Sequence, residues 1–309
     1  MRTHRRKRTL ITLILIMLLL IAAAGWWLFQ RGSHIGEQRA ESVTEVVQED
    51  MQTATDALSG TEAAFRDYMI ADHVYSHRGS AGPLEHSFQS YDDAINAGSH
   101  NIEQDIVISS DGVLYVSHDI AALSMTGNRN FYKDLSSAEI DELRTYEGNK
   151  ILKLSDVFDK YGREVHYLVE LKTTGEDTIQ AFEDIIEKYD FADIVTVQSD
   201  DPDVLAAVEE KFPDMRKMLV CKTPGLFSRA LDLPYVDDIS VKFIAGLMKE
   251  ERCQAAHDHG KTFSAWTLDT EDEIRRAIDM GVDSYFTNDT PLALSIEKEY
   301  GVKVREENK

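Results

Sequence analysis

From residue 73 to the end, short extended runs and amphipathic helical stretches take turns, and no other feature of this 309-residue chain limits its fold so tightly. Strand patterns occupy 73–78, 101–109, 165–172, 194–198, 215–222, 238–243, 261–268 and 282–288. Helical periodicity marks 87–98, 136–146, 177–189, 201–212, 246–259, 271–280 and 291–300. The punctuation agrees. Gly98, Gly260, Gly281 and Gly301 stand where helices should stop. Asp201-Pro202 opens one helix, and Ser136 with Glu139 has the spacing of a capping box. Asp111-Gly112 is a hairpin signal leading into a further extended run at 113–118. Eight parallel-type strands alternating with helices over about 235 residues indicate an α/β protein of the TIM (β/α)8 barrel class. The stretch after the second strand is long enough for a small insertion. A doubly wound open sheet is the alternative, but such sheets usually have fewer strands.

Charge says where that barrel sits. The chain carries a formal −22, yet residues 1–31 hold six basic side chains and no acidic one, leaving the remainder at −28. Such acidity argues against a nucleic-acid partner, whose phosphates need clustered Lys and Arg. From Leu10 to Phe29 the sequence is almost unbroken apolar. As a helix this run would span about 30 Å, the thickness of a bilayer core. Basic residues ahead of it keep the N-terminus cytoplasmic, and Trp26 and Trp27 suit the far interface. The expected organisation is a cytoplasmic basic tail (1–9), a transmembrane anchor (10–29), an acidic helical stalk (30–72) and a barrel domain (73–309). That organisation predicts a single-pass protein of the cell membrane with its barrel domain extracellular. A cleaved signal peptide, ending near Ala22-Ala23-Ala24, competes with the anchor, but the apolar run continues through Phe29. The sequence leaves the oligomeric state open. Cys221 and Cys253 are too few for a disulfide scaffold or a four-cysteine zinc site and are expected as buried thiols.

In a barrel, chemistry gathers at the C-terminal ends of the strands, which filters the polar residues. The first strand ends in His77-Arg78-Gly79. The second carries Glu103 and Asp105, two apart and therefore on one face. Carboxylates facing a lumen are costly unless a cation binds them, and a hard divalent ion favours oxygen. The hairpin returns to His118-Asp119, and the third strand ends with Glu170 and Lys172, again of one parity. Three carboxylates, two imidazoles, an Arg and a Lys make a metal site, an acid/base pair and anion ligands. That set suits attack on a phosphate ester. An internal salt-bridge network is the bland alternative. Trp266 fits core filler or ligand platform equally well. Lys222 and Lys242 are expected to be solvated, and His73, His86, His100, His166, His257 and His259 to be non-catalytic.

In order and spacing, the stretches His77-Arg78-Gly79, Glu103-Gln104-Asp105, Asp111-Gly112 with His118-Asp119, Val169-Glu170-Leu171-Lys172, Ala265-Trp266-Thr267 and Gly281-Val282-Asp283-Ser284-Tyr285-Phe286-Thr287-Asn288 form one signature. It closely resembles that of the glycerophosphodiester phosphodiesterase family across residues 73–295. The resemblance implies a TIM barrel with an inserted segment at about 110–163. It implies one divalent cation, Ca2+ or Mg2+, held by Glu103, Asp105 and Glu170. It implies His77 and His118 as general acid/base residues, Arg78 and Lys172 on the substrate phosphate, and Trp266 lining the pocket. The implied reaction is hydrolysis of a small glycerophosphodiester or a glycerol-phosphate polymer to glycerol 3-phosphate and an alcohol. One stretch departs from the pattern. The family shows Pro-Glu-Asn-Thr after the first strand, whereas this chain reads Pro83-Leu84-Glu85-His86-Ser87. Glu85 and Ser87 stand for the Glu and Thr near the pocket, and His86 replaces Asn. A phospholipase on intact lipid is a related alternative that needs an apolar rim. A glycoside hydrolase would also use paired carboxylates but gives His77, His118 and Lys172 no role.

Overall fold

The computed structural model describes residues 73–301, apart from Ala81 and Pro83. The expected anchor at 10–29 and stalk at 30–72 lie outside the described residues. Among the described residues no helix is long and apolar enough to cross a membrane.

Nine strands form one sheet: β1 (Val74–Ser76), β2 (Asn101–Ile108), β3 (Leu114–Val116), β4 (His166–Leu171), β5 (Val195–Ser199), β6 (Arg216–Cys221), β7 (Asp238–Lys242), β8 (Thr262–Trp266) and β9 (Ser284–Thr287). The order β1-β9-β8-β7-β6-β5-β4-β2 is parallel throughout, and β1 pairs back onto β2, closing an eight-stranded barrel. β3 joins β2 antiparallel through the hairpin at Asp111-Gly112, where Gly112 takes a φ of +85°. The helices are α1 (Phe88–Asn96), α2 (Leu123–Thr126), α3 (Ser137–Glu142), α4 (Leu154–Tyr161), α5 (Glu176–Tyr189), α6 (Pro202–Lys211), α7 (Pro224–Leu231), α8 (Glu250–Asp258), α9 (Glu271–Met280) and α10 (Thr290–Glu299).

The pleat divides each strand between two environments. Ile102, Ile106, Val169, Val197, Leu219 and Val241 belong to one continuous core with the helices. Tyr75, Leu168, Met218 and Phe286 have the opposite parity and form a separate cluster, with Trp266 packed against it. An apolar layer thus crosses the lumen, with charged groups at the mouth formed by the C-terminal ends of the strands and a buried polar group of Asp238, Ser264 and Ser284 toward the N-terminal ends.

Sequence and structure part in three places. Two helices escaped the periodicity. Pro224-Gly225 reads as turn chemistry, yet Thr223 caps the backbone N–H of Leu226 and Pro224 opens α7. α4 falls inside the stretch expected as insertion, but its Leu154, Val157, Phe158 and Tyr161 join the main core. It is the outer helix of the second β/α unit. The insertion proper is β3, α2, a 3-10 turn (Tyr132–Asp134) and α3, and it has its own small core of Tyr115, Met125, Tyr132 and Ile140. Thirdly, α3 begins at the expected capping box but stops at Glu142 rather than 146. Arg144 turns back to donate to the carbonyls of Asp141 and Leu143.

Phe158 stands edge-on to Tyr167, Tyr189 and Phe191, with ring centroids 4.7, 5.3 and 5.1 Å away. Phe158→Ala should therefore destabilise the barrel by about 3–5 kcal/mol, measured by urea denaturation. A loss below about 1 kcal/mol would mean that α4 is not part of the barrel wall.

Candidate active site

The loop after β1 is bent tightly because its backbone has no room. At Gly79 φ is +83°, and a Cβ there would lie 2.7 Å from the carbonyl carbon of Ser90. Only glycine fits. Arg78 and His86 are also left-handed, at φ +55° and +58°. Such conformations persist where the surroundings hold them. Here the His86 N–H donates to the Arg78 carbonyl at 3.0 Å, and the Ser90 hydroxyl donates to the same oxygen at 2.9 Å. Both side chains consequently reach into the barrel mouth.

β2 presents Glu103 and Asp105 there. Asp105 is the register partner of Glu170 on β4, which in turn faces Gln198 on β5. The Lys172 ammonium bridges Asp105 Oδ1 at 2.8 Å and Glu170 Oε1 at 2.7 Å. Asp105 Oδ2 accepts from His86 Nε2 at 3.0 Å and lies 3.4 Å from Arg78 Nε. Glu103 takes one hydrogen bond, from the backbone N–H of Arg78 at 2.8 Å. Burial raises a carboxyl pKa, but at Asp105 the hydrogen bond from His86 and the charges of Lys172 and Arg78 outweigh it. That carboxyl is held well below the usual range. At Glu103, and at Glu170 despite its bond from Lys172, the balance goes the other way. Burial first, and then the charge of Asp105, push both upward.

A buried Glu103 without an ion-pair partner, beside a second carboxylate, is a deficit of positive charge. Hard oxygen donors in that state fit a divalent cation. Among the described residues, one group of His86, Glu103 and Asp105 has ligand atoms all within 4.8 Å of one another. Glu170 stands outside that group, tied to Lys172 and, at 3.3 Å, to Gln198 Nε2.

The two expected imidazoles are held differently. Asn288 donates its side-chain amide to Asp269 Oδ2 at 2.8 Å, so its oxygen faces His77 Nδ1, 2.6 Å away. His77 must then carry its proton on Nδ1, which leaves the Nε2 lone pair free. Burial and then the Arg78 charge lower its pKa to about 4. His118, beyond β3, donates from Nδ1 to Asp119 Oδ1 at 2.9 Å. The Ser124 hydroxyl, and then His118, hold the Asp119 carboxyl below its ordinary value.

A cavity of about 130 Å³ at this end of the barrel is lined by His77, Arg78, Glu103, Asp105, His118, Glu170 and Lys172 together with Trp266. The seven charged or imidazole residues expected at the strand ends therefore meet. The Trp266 indole N–H is buried there without a partner. Glu85 does not line the cavity and acts through Arg78 Nη1, at 2.8 Å. Lys222 is exposed, as expected, and stands at the cavity's edge paired with Asp200 at 2.6 Å. Gln198, Asn288 and Asp269 were not singled out: the two amides carry no charge signal, and Asp269 lies in the loop between β8 and α9. His86 was set aside as non-catalytic, yet it was the one marked departure from the family pattern. Cys221 and Cys253 are buried thiols, as expected. A larger open groove of about 750 Å³ beside α5 offers no histidine and no buried charge, so the smaller cavity is the candidate site.

Residues 77–292 match the glycerophosphoryl diester phosphodiesterase family. A glycerophosphodiester phosphodiesterase of Bacillus subtilis (strain 168) is 25% identical over 255 residues, covering 73% of this chain and 86% of the relative. The crystal structure of the glycerophosphodiester phosphodiesterase of Thermotoga maritima is similar at a TM-score of 0.61 and 22% identity, covering 73% of this chain and 97% of the other. An Oleispira antarctica phosphodiesterase, solved in complex with the product sn-glycerol-3-phosphate, is similar at a TM-score of 0.67 and 20% identity, covering 75% and 98%.

The His77 arrangement makes a measurable demand. Its ring should stay neutral and Nδ1-protonated down to about pH 4, as read by nitrogen NMR. Arg78→Gln removes a repelling cation and should raise the midpoint toward the usual value. Because the folded pKa lies below the unfolded one, His77 contributes stability above about pH 6.5 that is lost as the pH falls through about 4. A midpoint near 6.5 in the unmodified protein would refute the assigned burial and tautomer.

Proposed function

This chain belongs to the glycerophosphoryl diester phosphodiesterase family of phosphoric diester hydrolases, and on that footing we propose how its cavity works and on what. The substrate is a glycerophosphodiester, small or as a unit of a glycerol-phosphate polymer, and the products are glycerol 3-phosphate and an alcohol. The observation that carries the reading is the pair of differently held imidazoles on one cavity with three buried carboxylates.

His77 is the general base. Asn288 and Asp269 fix its Nδ1 proton, and its low pKa keeps Nε2 ready to accept one at neutral pH. The proton comes from water or from the neighbouring glycerol hydroxyl. Arg78, steadied by Glu85, and Lys172, steadied by Asp105 and Glu170, meet the phosphate charge. The unpartnered Trp266 N–H is the donor available to the glycerol. His118, backed by Asp119, protonates the leaving alkoxide, whose high pKa makes that assistance necessary. A divalent cation, Ca2+ or Mg2+, held by Glu103, Asp105 and Glu170 would polarise the phosphoryl oxygen.

We place this barrel on the outer face of the cell membrane, on the strength of the apolar run at 10–29 and its basic flank. A lipid substrate is a second reading with its own observation. Among the described residues six large hydrophobics are exposed, and four of them, Ile120, Leu123, Phe131 and Tyr146, lie on the insertion that carries on from His118. On this reading they would supply the apolar surface that an acyl chain needs.

His77→Ala and His118→Ala should each cut release of glycerol 3-phosphate from glycerophosphocholine by roughly 10²–10⁴ with the circular dichroism unchanged. Wild-type turnover in either would reject its role. Activity should also be lost on chelation and return with a divalent ion. Running glycerol-phosphate polymer and lysophospholipid vesicles alongside decides between the two substrates. In intact cells, external protease should remove the barrel while the cytoplasmic tail stays protected. A protected barrel would overturn the topology.

A further inference from the structure

We propose that His86 is itself a ligand of the cation, giving the centre a nitrogen donor and a preference for Co2+ or Zn2+ over Ca2+. The inference rests on the cation site proposed above and deepens it.

Three observations converge. First, His86 stands where the family pattern has Asn, in a left-handed turn. Asn and His both tolerate that conformation better than most residues. The exchange therefore keeps the turn and changes the atom it delivers. Second, the imidazole is wholly enclosed, with Nε2 3.0 Å from Asp105 Oδ2, and its ligand atom falls in one group with those of Glu103 and Asp105. A single ion can touch all three. Third, the other ring nitrogen is provided for. Nδ1 lies 3.0 Å from the Tyr91 hydroxyl. Without an ion the hydroxyl donates to Nδ1, and Nε2–H donates to Asp105. With an ion on Nε2 the tautomer reverses, and Nδ1–H donates to the Tyr91 oxygen. That hydroxyl then needs an acceptor. The buried Gln104 amide beside it is otherwise without a hydrogen-bond partner. Metal-bound histidines ordinarily donate their second N–H in this way.

The donor chemistry decides the selectivity. Ca2+ takes oxygen and has no preference for imidazole, whereas Co2+ and Zn2+ bind a mixed carboxylate and imidazole set well. A neutral ring also adds a donor without adding charge, in a site where Lys172 and Arg78 already stand close to Asp105.

The test uses the full chain in detergent, stripped with a chelator and dialysed. Co2+ is followed by its visible absorption and by calorimetry, and Ca2+ by calorimetry. The unmodified chain should bind Co2+ more tightly than Ca2+. His86→Asn should weaken Co2+ by about tenfold or more, shift the cobalt bands and leave Ca2+ affinity unchanged. Tyr91→Phe keeps the imidazole but removes the group that receives its N–H, and should weaken Co2+ in the same direction. Circular dichroism reports whether either variant is folded, and the comparison of ions on the unmodified chain stands without them. Equal losses for both ions in His86→Asn would mean that His86 only orients Asp105, and would overturn the proposal. So would Ca2+ binding as tightly as Co2+ in the unmodified chain. If neither ion binds, the cation role in the proposed reaction falls as well.

Discussion

Three carboxylates sit in the mouth of a closed barrel, each less than a tenth exposed, and the site is built around that cost. Burial of a charge is expensive unless the charge is paired. Lys172 answers two of the three, spanning adjacent strands because Asp105 and Glu170 are register partners. Arg78 and His86 converge on the remaining oxygen of Asp105. What is left over is Glu103. The barrel thus concentrates negative charge until one more positive group is called for, with Arg78 and Lys172 already in place.

The backbone serves the same end. A strand alone would deliver only alternate side chains to the lumen. Arg78 and His86 arrive instead from a loop whose carbonyl and amide are cross-linked, and Gly79 lets that loop lie against Ser90. The left-handed residues are therefore tied to function through hydrogen bonds that hold them, rather than by local propensity.

The architecture was legible because its signals are redundant. Strand periodicity, terminal glycines and a capping box all point one way, and errors at helix ends do not alter the topology. The charged site residues were legible too, since parity along β2 and β4 dictates which of them share the lumen. Hidden from the sequence were the groups that act through hydrogen bonds alone. Asn288 and Asp269 fix a tautomer from a loop and strand end far along the chain, and nothing in their spacing announces it. α7 was masked by a Pro-Gly pair, and α4 by the insertion ahead of it. His86 was visible as a substitution, but only the turn that folds it back onto Asp105 gives that substitution a meaning.

The insertion has a hydrophobic cluster separate from that of the barrel, and His118 stands at its root while His77 belongs to the barrel wall. The two imidazoles are thereby mounted on parts with independent interiors. Drift in the smaller interior can alter the gap between donor and acceptor without endangering the larger one. Evolution accordingly has a coarse adjustment for the width of the cavity in residues that do not line it.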